Sequence, residues 1–258
     1  MPKKIYQSVR EERQVSGGRR IRLELRGERT EPVPAILLLP PAAPAPAALL
    51  LHGYTSHKER VADSLGSALL AEGIASLAID LPLHGERERD EVPDIAAARS
   101  PLEMIRRWRA ASEDCTLALR YLGAHRGVDS ERLALVGYSL GAFLGLSVAA
   151  REPAVRAVVL AAGGDLPDGS PFTALVRTMV DPLRSVRKLA GRPLLMVHGK
   201  WDRTVRPPQA ERLFAAASEP KEIRWWDAGH ILPEPAVADA ARWLADRLRA
   251  AGAQRAGA

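Results

Sequence analysis

The sequence predicts an α/β fold in which a mostly parallel sheet is covered by helices on both faces. Short, continuous apolar runs, typical of buried parallel strands, alternate with longer amphipathic runs, typical of helices. Residues 21–25 instead alternate apolar and polar side chains, which predicts that the first two or three strands are antiparallel. The 258 residues suit one such domain. We therefore expect a single domain over residues 1–258, with a polar arm at 1–18 that is either an edge strand or a loose segment, and a disordered tail at 251–258.

The predicted strands are apolar runs bounded by turn residues, and the second and third are separated by a stiff, proline-rich connection at residues 40–46. They lie at residues 21–25, 34–39, 47–51, 74–79, 132–137, 155–160, 193–197 and 222–226. From the third strand onward each run is buried on both faces, so the later strands are expected to be parallel.

The predicted helices follow these strands at 56–71, 102–121, 140 onward, 207–217 and 235–250. Ser56 and Glu59 have the spacing of a capping box at the start of the first helix. The segment between the fourth strand and the second helix, residues 86–100, is too charged for the core, so we expect it on the surface near the site. Residues 163–192 form the only segment available for a lid, which would be small.

The composition is that of a soluble globular protein, with 47% hydrophobic and 26% charged residues. No apolar run approaches the roughly 20 residues that cross a bilayer, and the first residues are unlike a signal peptide. The formal charge of +6 comes from arginines interleaved with acidic residues rather than from a basic block. We therefore expect a cytoplasmic protein that binds neither membranes nor nucleic acid.

Cys115 is the only cysteine, which excludes an internal disulfide and a multi-cysteine metal site. It lies in a helical run, and no glycine turn surrounds it. We interpret it as a packed small residue and expect no metal ligands in the chain.

Ser139 lies on a sharp turn between a strand that ends at Gly137 and a helix that begins at Leu140. The glycines two residues before and after the serine, Gly137 and Gly141, allow the strand and the helix to approach without Cβ collisions. The unpaired N–H groups and the positive end of the helix dipole face the space above the serine. This turn therefore predicts a nucleophile, with a developing oxyanion stabilised in the space above it.

A serine hydroxyl is a poor nucleophile unless a base takes its proton, and that base needs an anionic partner. Ser139, Asp202 and His230 follow one another in the chain, each at the carboxyl end of a predicted strand. A second oxyanion donor, the Tyr54 N–H, is predicted opposite the Leu140 N–H. These five residues are the candidate site.

Alternatives to these assignments come from the same sequence. Asp165 follows the preceding strand and is the alternative acid, whereas no histidine after the acid competes with His230. The remaining histidines near strand ends are interpreted as loop braces: His52, His84 and His198. Trp201 and Phe143 are interpreted as packing residues.

Five motifs in order resemble the α/β-hydrolase superfamily over roughly residues 20 to 250. They are HGYTSHKE at 52–59, DLPLHG at 80–85, GYSLG at 137–141, HGKWDRTV at 198–205 and DAGH at 227–230. Together they look like small bacterial carboxylesterases related to dienelactone hydrolases and to prolyl-oligopeptidase catalytic domains. The cysteine nucleophile of dienelactone hydrolases and the propeller of the oligopeptidases are absent.

The resemblance implies an α/β-hydrolase fold with a minimal lid, and an esterase that needs no cofactor. The single glycine before Tyr54, in place of a three-glycine run, is similar to esterases that act on small-molecule esters with short or medium acyl groups. An acyl-CoA thioesterase or a small peptidase remains an alternative activity. A binding protein that kept the fold without the chemistry remains an alternative of another class.

Overall fold

The computed structural model describes residues 4–28, 31–88, 101–169, 171–189 and 191–256. Its centre is a nine-stranded sheet in the order β1-β2-β3-β5-β4-β6-β7-β8-β9. The strands are β1 (Tyr6–Val15), β2 (Gly18–Arg26), β3 (Val33–Leu39), β4 (Ala45–Leu51), β5 (Ala75–Ile79), β6 (Val128–Tyr138), β7 (Val155–Ala161), β8 (Leu194–Gly199) and β9 (Lys221–Trp226). The pairs from β1 to β3 and the β3–β5 pair are antiparallel, and all other pairs are parallel. The predicted fold class is therefore confirmed.

Helices cover both faces of the sheet. They are α1 (Lys58–Val61), α2 (Ser67–Ala71), α3 (Pro101–Ala124), α4 (Leu140–Ala149), α5 (Pro171–Met179), α6 (Pro182–Arg187), α7 (Pro207–Ala216) and α8 (Glu234–Ala256). A π-helical turn at Ala62–Gly66 joins α1 to α2. Helices α3, α4, α6 and α7 pack on one face of the sheet, and α1, α2 and α8 pack on the other.

The core follows from the two-residue period of the strands. Leu49 of β4 and Leu135 of β6 belong to the apolar cluster on the α3–α4 face. Their neighbours Leu50 and Val136 belong to the cluster on the α8 face. The continuous apolar runs are therefore buried on both sides, which places the carboxyl ends of the parallel strands along one rim.

The two chain ends compare differently with the expectations. Tyr6–Val15, part of the predicted polar arm, forms a paired edge strand, which was one of the two forms expected for the arm. Helix α8 continues to Ala256, so residues 251–256 are helical rather than disordered. Most of the predicted surface segment at 86–100 lies outside the described residues, which resume at Pro101.

The first helix begins at Lys58, not at Ser56, and its N-cap residue His57 makes no side-chain capping bond. The predicted capping box is therefore wrong. The Lys58 N–H instead donates to Asp80 Oδ1 at 2.8 Å, and its ammonium lies 2.7 Å from Asp80 Oδ2. A carboxylate from the end of β5 thus accepts the hydrogen bond that the sequence assigned to a local side chain.

Candidate active site

Ser139 occupies the turn between β6 and α4 with φ of 50°, a strained conformation for a side chain other than glycine. A Cβ at Gly137 would lie 2.2 Å from the Gly141 carbonyl oxygen, and a Cβ at Gly141 would lie 2.3 Å from that of Leu51. Both glycines are therefore required for the strand and the helix to pack this closely. The turn holds the half-buried Ser139 hydroxyl at the rim of the sheet.

Ser139, His230 and Asp202 form one hydrogen-bonded chain. The His230 Nε2 lies 2.9 Å from the Ser139 hydroxyl, and the His230 Nδ1 lies 2.7 Å from Asp202 Oδ2. Because a carboxylate only accepts hydrogen bonds, Nδ1 carries the proton and Nε2 of the neutral ring is free to accept one from the serine. This is the tautomer that a general base next to a serine requires.

The Asp202 carboxylate is buried and is held by the backbone of its own loop. Its Oδ1 accepts from the N–H groups of Thr204 at 2.8 Å and Val205 at 3.0 Å, which leaves Oδ2 for His230. His198 donates from Nε2 to the Val205 carbonyl at 2.8 Å, and burial lowers the pKa of its imidazole. A neutral His198 therefore braces this loop, as expected from the sequence.

Tyr138, the residue before the serine, ties the His230 loop to the serine turn. Its hydroxyl donates to the His230 carbonyl and accepts from the Leu232 N–H at 3.2 Å. Its ring meets the His230 ring edge-on, with 5.9 Å between centroids. The imidazole is thereby positioned from its backbone as well as from Asp202.

We expect Tyr138→Phe to lower kcat about tenfold with little change in KM, because the variant keeps the ring but frees the loop that holds His230. The His230 carbonyl and the Leu232 N–H lose their hydrogen-bond partner, which lowers the free energy of unfolding by about 1–3 kcal/mol. Steady-state kinetics and urea unfolding measure both effects. An unchanged kcat would show that the hydroxyl stabilises the loop without positioning the imidazole.

The segment after β4 passes beside the serine. A Cβ added to Gly53 would lie 3.4 Å from the Ser139 Cβ, so the backbone at Gly53, the residue before Tyr54, adjoins the serine. Leu140 is the first residue of α4, where an N–H has no partner within the helix. These two segments are where the sequence predicted the oxyanion donors.

His52 fixes the conformation of this segment. Its Nδ1 donates to the Gly53 carbonyl at 2.7 Å, and its Nε2 accepts from the Leu81 N–H at 3.1 Å. The ring is fully buried, and burial lowers its pKa to about 4. His52 therefore remains neutral at pH 7 and joins the end of β4 to the end of β5.

A buried neutral imidazole makes stability depend on pH. Because the folded pKa of His52, about 4, lies below its ordinary value of 6.5, the unfolded chain binds the proton first and stability falls between these pH values. We expect protonation of this residue in the unfolded chain to lower the free energy of unfolding by about 3 kcal/mol when the pH falls from 7 to 4. Urea unfolding of the wild type and His52→Gln at both pH values measures the difference. Equal losses in the two proteins would contradict the assignment.

The alternative acid lies in a different network. Asp165 is buried and pairs with Arg177 at 3.0 Å and with Arg212 at 3.2 Å. The structure thus brings Asp202, and not Asp165, to His230.

His84 donates from Nδ1 to the Pro82 carbonyl at 2.9 Å and, like His52, braces its loop.

An apolar cavity of about 260 Å³ lies next to the serine turn. Its walls come from the segment after β5, from α3, from the start of α4 and from α5, and include Leu83, Trp108, Phe143 and Met179. Phe143, interpreted from the sequence as a packing residue, therefore also faces this space. Trp201 was interpreted in the same way, but 67% of it is exposed.

Of the surface segment at 86–100 and the lid segment at 163–192 that the sequence predicts, only the second contributes described residues to the cavity. The sequence did not predict the contribution of α3, where Met104, Trp108 and Ala111 line the cavity. Their spacing of four and three residues puts them on one helical face. That pattern predicts an apolar face, but it does not show that the face lines an open cavity as well as packing against the core.

The loop after β5 is fixed by an ionic cluster around a buried lysine. The Lys58 ammonium, fully buried, contacts the carboxylates of Asp80, Glu59 and Glu86. A Cβ at Gly85 would lie 2.3 Å from Asp80 Oδ1, so the loop closes tightly around that carboxylate. The cluster thereby holds the cavity wall that begins at Leu81.

Among the described residues, no three or more histidine, cysteine or acidic side chains are grouped so that they could hold a metal ion. In the parts of the chain that the structure describes, no helix is long and apolar enough to cross a membrane. Cys115 is fully buried, and burial raises the pKa of its thiol.

The sheet, its two helical layers and the serine on a turn between β6 and α4 are those of an α/β hydrolase. A model of the alpha/beta hydrolase family matches residues 48–251, and the chain belongs to this family.

The named relatives share only low sequence identity with this chain. Esterase YjfP of Escherichia coli strain K12 is 26% identical over 68% of this chain and 76% of its own length. A cold-adapted esterase from an Arctic intertidal metagenomic library has a TM-score of 0.72 at 22% identity, covering 92% of this chain and 97% of its own. Acetyl xylan esterase 1 from Thermoanaerobacterium sp. JW/SL YS485 has a TM-score of 0.76 at 19% identity, covering 96% of this chain and 89% of its own. At such identities, the two solved structures show the shared fold.

Proposed function

We propose that this chain is a carboxylesterase-type serine hydrolase that cleaves small-molecule esters through an acyl-enzyme on Ser139. The observation that carries the proposal is the hydrogen-bonded chain from Ser139 through His230 to Asp202 at the rim of the sheet. Membership of the alpha/beta hydrolase family supports it, and so does the name of the Escherichia coli relative.

In the first step, His230 Nε2 removes the proton of Ser139 while the serine oxygen attacks the ester carbonyl. The imidazolium that forms is stabilised by the buried Asp202 carboxylate. The backbone N–H groups of Tyr54 and Leu140 donate to the tetrahedral oxyanion, and one such donor is worth about 3 kcal/mol of barrier. The alcohol then leaves with the proton from His230.

In the second step, water replaces the alcohol. His230 removes a proton from the water as it attacks the acyl carbonyl, and the same two N–H groups stabilise the second oxyanion. Collapse of this intermediate releases the carboxylic acid and returns the proton to Ser139. No step requires a metal or an organic cofactor.

The apolar cavity supports an acyl group of short to medium length. It measures about 260 Å³, whereas a cavity of about 150 Å³ in another protein holds benzene. The space therefore exceeds what an acetyl group fills, and it suits acyl chains of several carbons.

Reaction of the purified chain with an activated ester and with a fluorophosphonate tests the proposal. We expect a burst of alcohol product equal to the enzyme concentration, and one phosphonate covalently bound at Ser139 by mass spectrometry. Parallel assays with thioesters and peptide anilides of the same acyl group compare the alternative activities. A protein that neither turns over esters nor reacts with the phosphonate would be a binding protein with a hydrolase fold.

A further inference from the structure

A second cavity lies on the other side of α3, and it differs from the first in character. It is a groove of about 940 Å³. Charged side chains from four segments line it, among them Arg109, Glu113, Arg151 and Glu152. We refer to it as the polar groove.

The apolar cavity and the polar groove share two lining residues, Trp108 of α3 and Met179 of α5. Each side chain is partly buried. Leu140, next to the serine, lines only the apolar cavity. The shared pair therefore lies between an apolar space beside the serine turn and a wider groove that charged side chains also line.

We propose that Trp108 and Met179 form the end wall of the acyl cavity and set the longest acyl chain that the enzyme accepts. The inference rests on the proposed esterase function and adds the residues that limit its substrate. Removing either side chain joins the apolar cavity to the polar groove, so that a longer chain extends through the opening.

The expected pattern follows from the transfer of methylene groups out of water. Each methylene buried in an apolar cavity raises kcat/KM about fourfold, which corresponds to about 0.8 kcal/mol. The gain stops where the chain meets the wall, since a longer chain must displace packed side chains. The wild type is therefore expected to show a sharp upper limit in acyl length.

Met179→Ala and Met104→Ala form a matched pair. Both substitutions remove the same atoms from the wall of the apolar cavity, but Met104 does not line the polar groove. Trp108→Ala is a second opening variant, and it breaks no hydrogen bond of the indole nitrogen, which has no partner within the described structure. The substrates are p-nitrophenyl esters of linear acids of increasing length, and acetyl esters of linear alcohols form the converse series.

We expect the acyl limit to move two or more carbons longer in Met179→Ala and Trp108→Ala, with at least a tenfold gain for the first ester beyond the wild-type limit. Met104→Ala should keep the wild-type limit. A limit that is unchanged in both opening variants, that moves equally in Met104→Ala, or that appears in the alcohol series instead would overturn the proposal.

A binding measurement separates this inference from the proposed function. Linear fatty acids are titrated into Ser139→Ala and into Ser139→Ala combined with Met179→Ala, and affinity is measured by calorimetry. A longer limit for binding in the second protein, without ester hydrolysis by the wild type, would support the end wall and reject the esterase. Ester hydrolysis by the wild type, together with the same limit for binding in both variants, would support the esterase and reject the end wall.

Discussion

Ser139→Ala is expected to lower kcat for an activated ester by on the order of 10⁶, to the level left by binding and the oxyanion donors alone. The alanine lacks the hydroxyl oxygen that the His230 Nε2 contacts at 2.9 Å. No acyl-enzyme can then form, so the burst of alcohol disappears together with steady turnover.

The measurement is stopped-flow release of p-nitrophenol from equal amounts of wild type and variant, with circular dichroism to compare their folds. The conformation of residue 139 provides a control, because φ of 50° strains alanine as it strains serine. Ser139→Cys keeps a nucleophile at the same turn and should react with the phosphonate or an alkylating reagent. Retention of more than a hundredth of the wild-type rate in Ser139→Ala would reject Ser139 as the nucleophile.

Asp202→Asn is expected to lower kcat by on the order of 10⁴ while the fold is retained. The amide oxygen of the variant side chain would keep the bonds that Asp202 Oδ1 accepts from Thr204 and Val205, which turns the amide NH₂ toward His230. The imidazole must then accept at Nδ1 and carry its proton on Nε2, facing the serine. In this tautomer His230 cannot take the proton of Ser139.

Asp165→Asn is the matched control, since Asp165 is equally buried and was the alternative acid. It weakens the ion pairs with Arg177 and Arg212, so we expect lower stability but kcat within about threefold of the wild type. The ratio of the kcat loss to the stability loss distinguishes the two variants, because only Asp202 contacts His230. A larger kcat loss in Asp165→Asn would reverse the assignment.

Features determined by neighbouring residues were predictable from the sequence. The turn at Ser139 needs only the glycines beside it and the change from an apolar strand to a helix, all within a few residues. The parallel part of the sheet was predicted from the same kind of local pattern, since continuous apolar runs are typical of parallel strands that are buried on both faces. The order of Ser139, Asp202 and His230 added the expectation that their side chains meet at one rim.

Features determined by distant residues were not predictable. The helix at Lys58 begins where it does because Asp80, 22 residues later, accepts its N–H. The local capping pattern at Ser56 carried no sign of that competing acceptor. Likewise, the amphipathic pattern of α3 identified an apolar face, yet whether Trp108 meets core or open cavity depends on how α5 lies against it.

The long separation between the site residues has a consequence for synthesis. Ser139 and His230 are 91 residues apart in the chain. At about 5–20 residues per second, a ribosome makes the serine roughly 5–20 s before the imidazole. Under the proposed mechanism, the nascent chain carries a hydroxyl without its base throughout that interval. We therefore expect the growing polypeptide to be inert toward esters until β9 and the segment that carries His230 are in place.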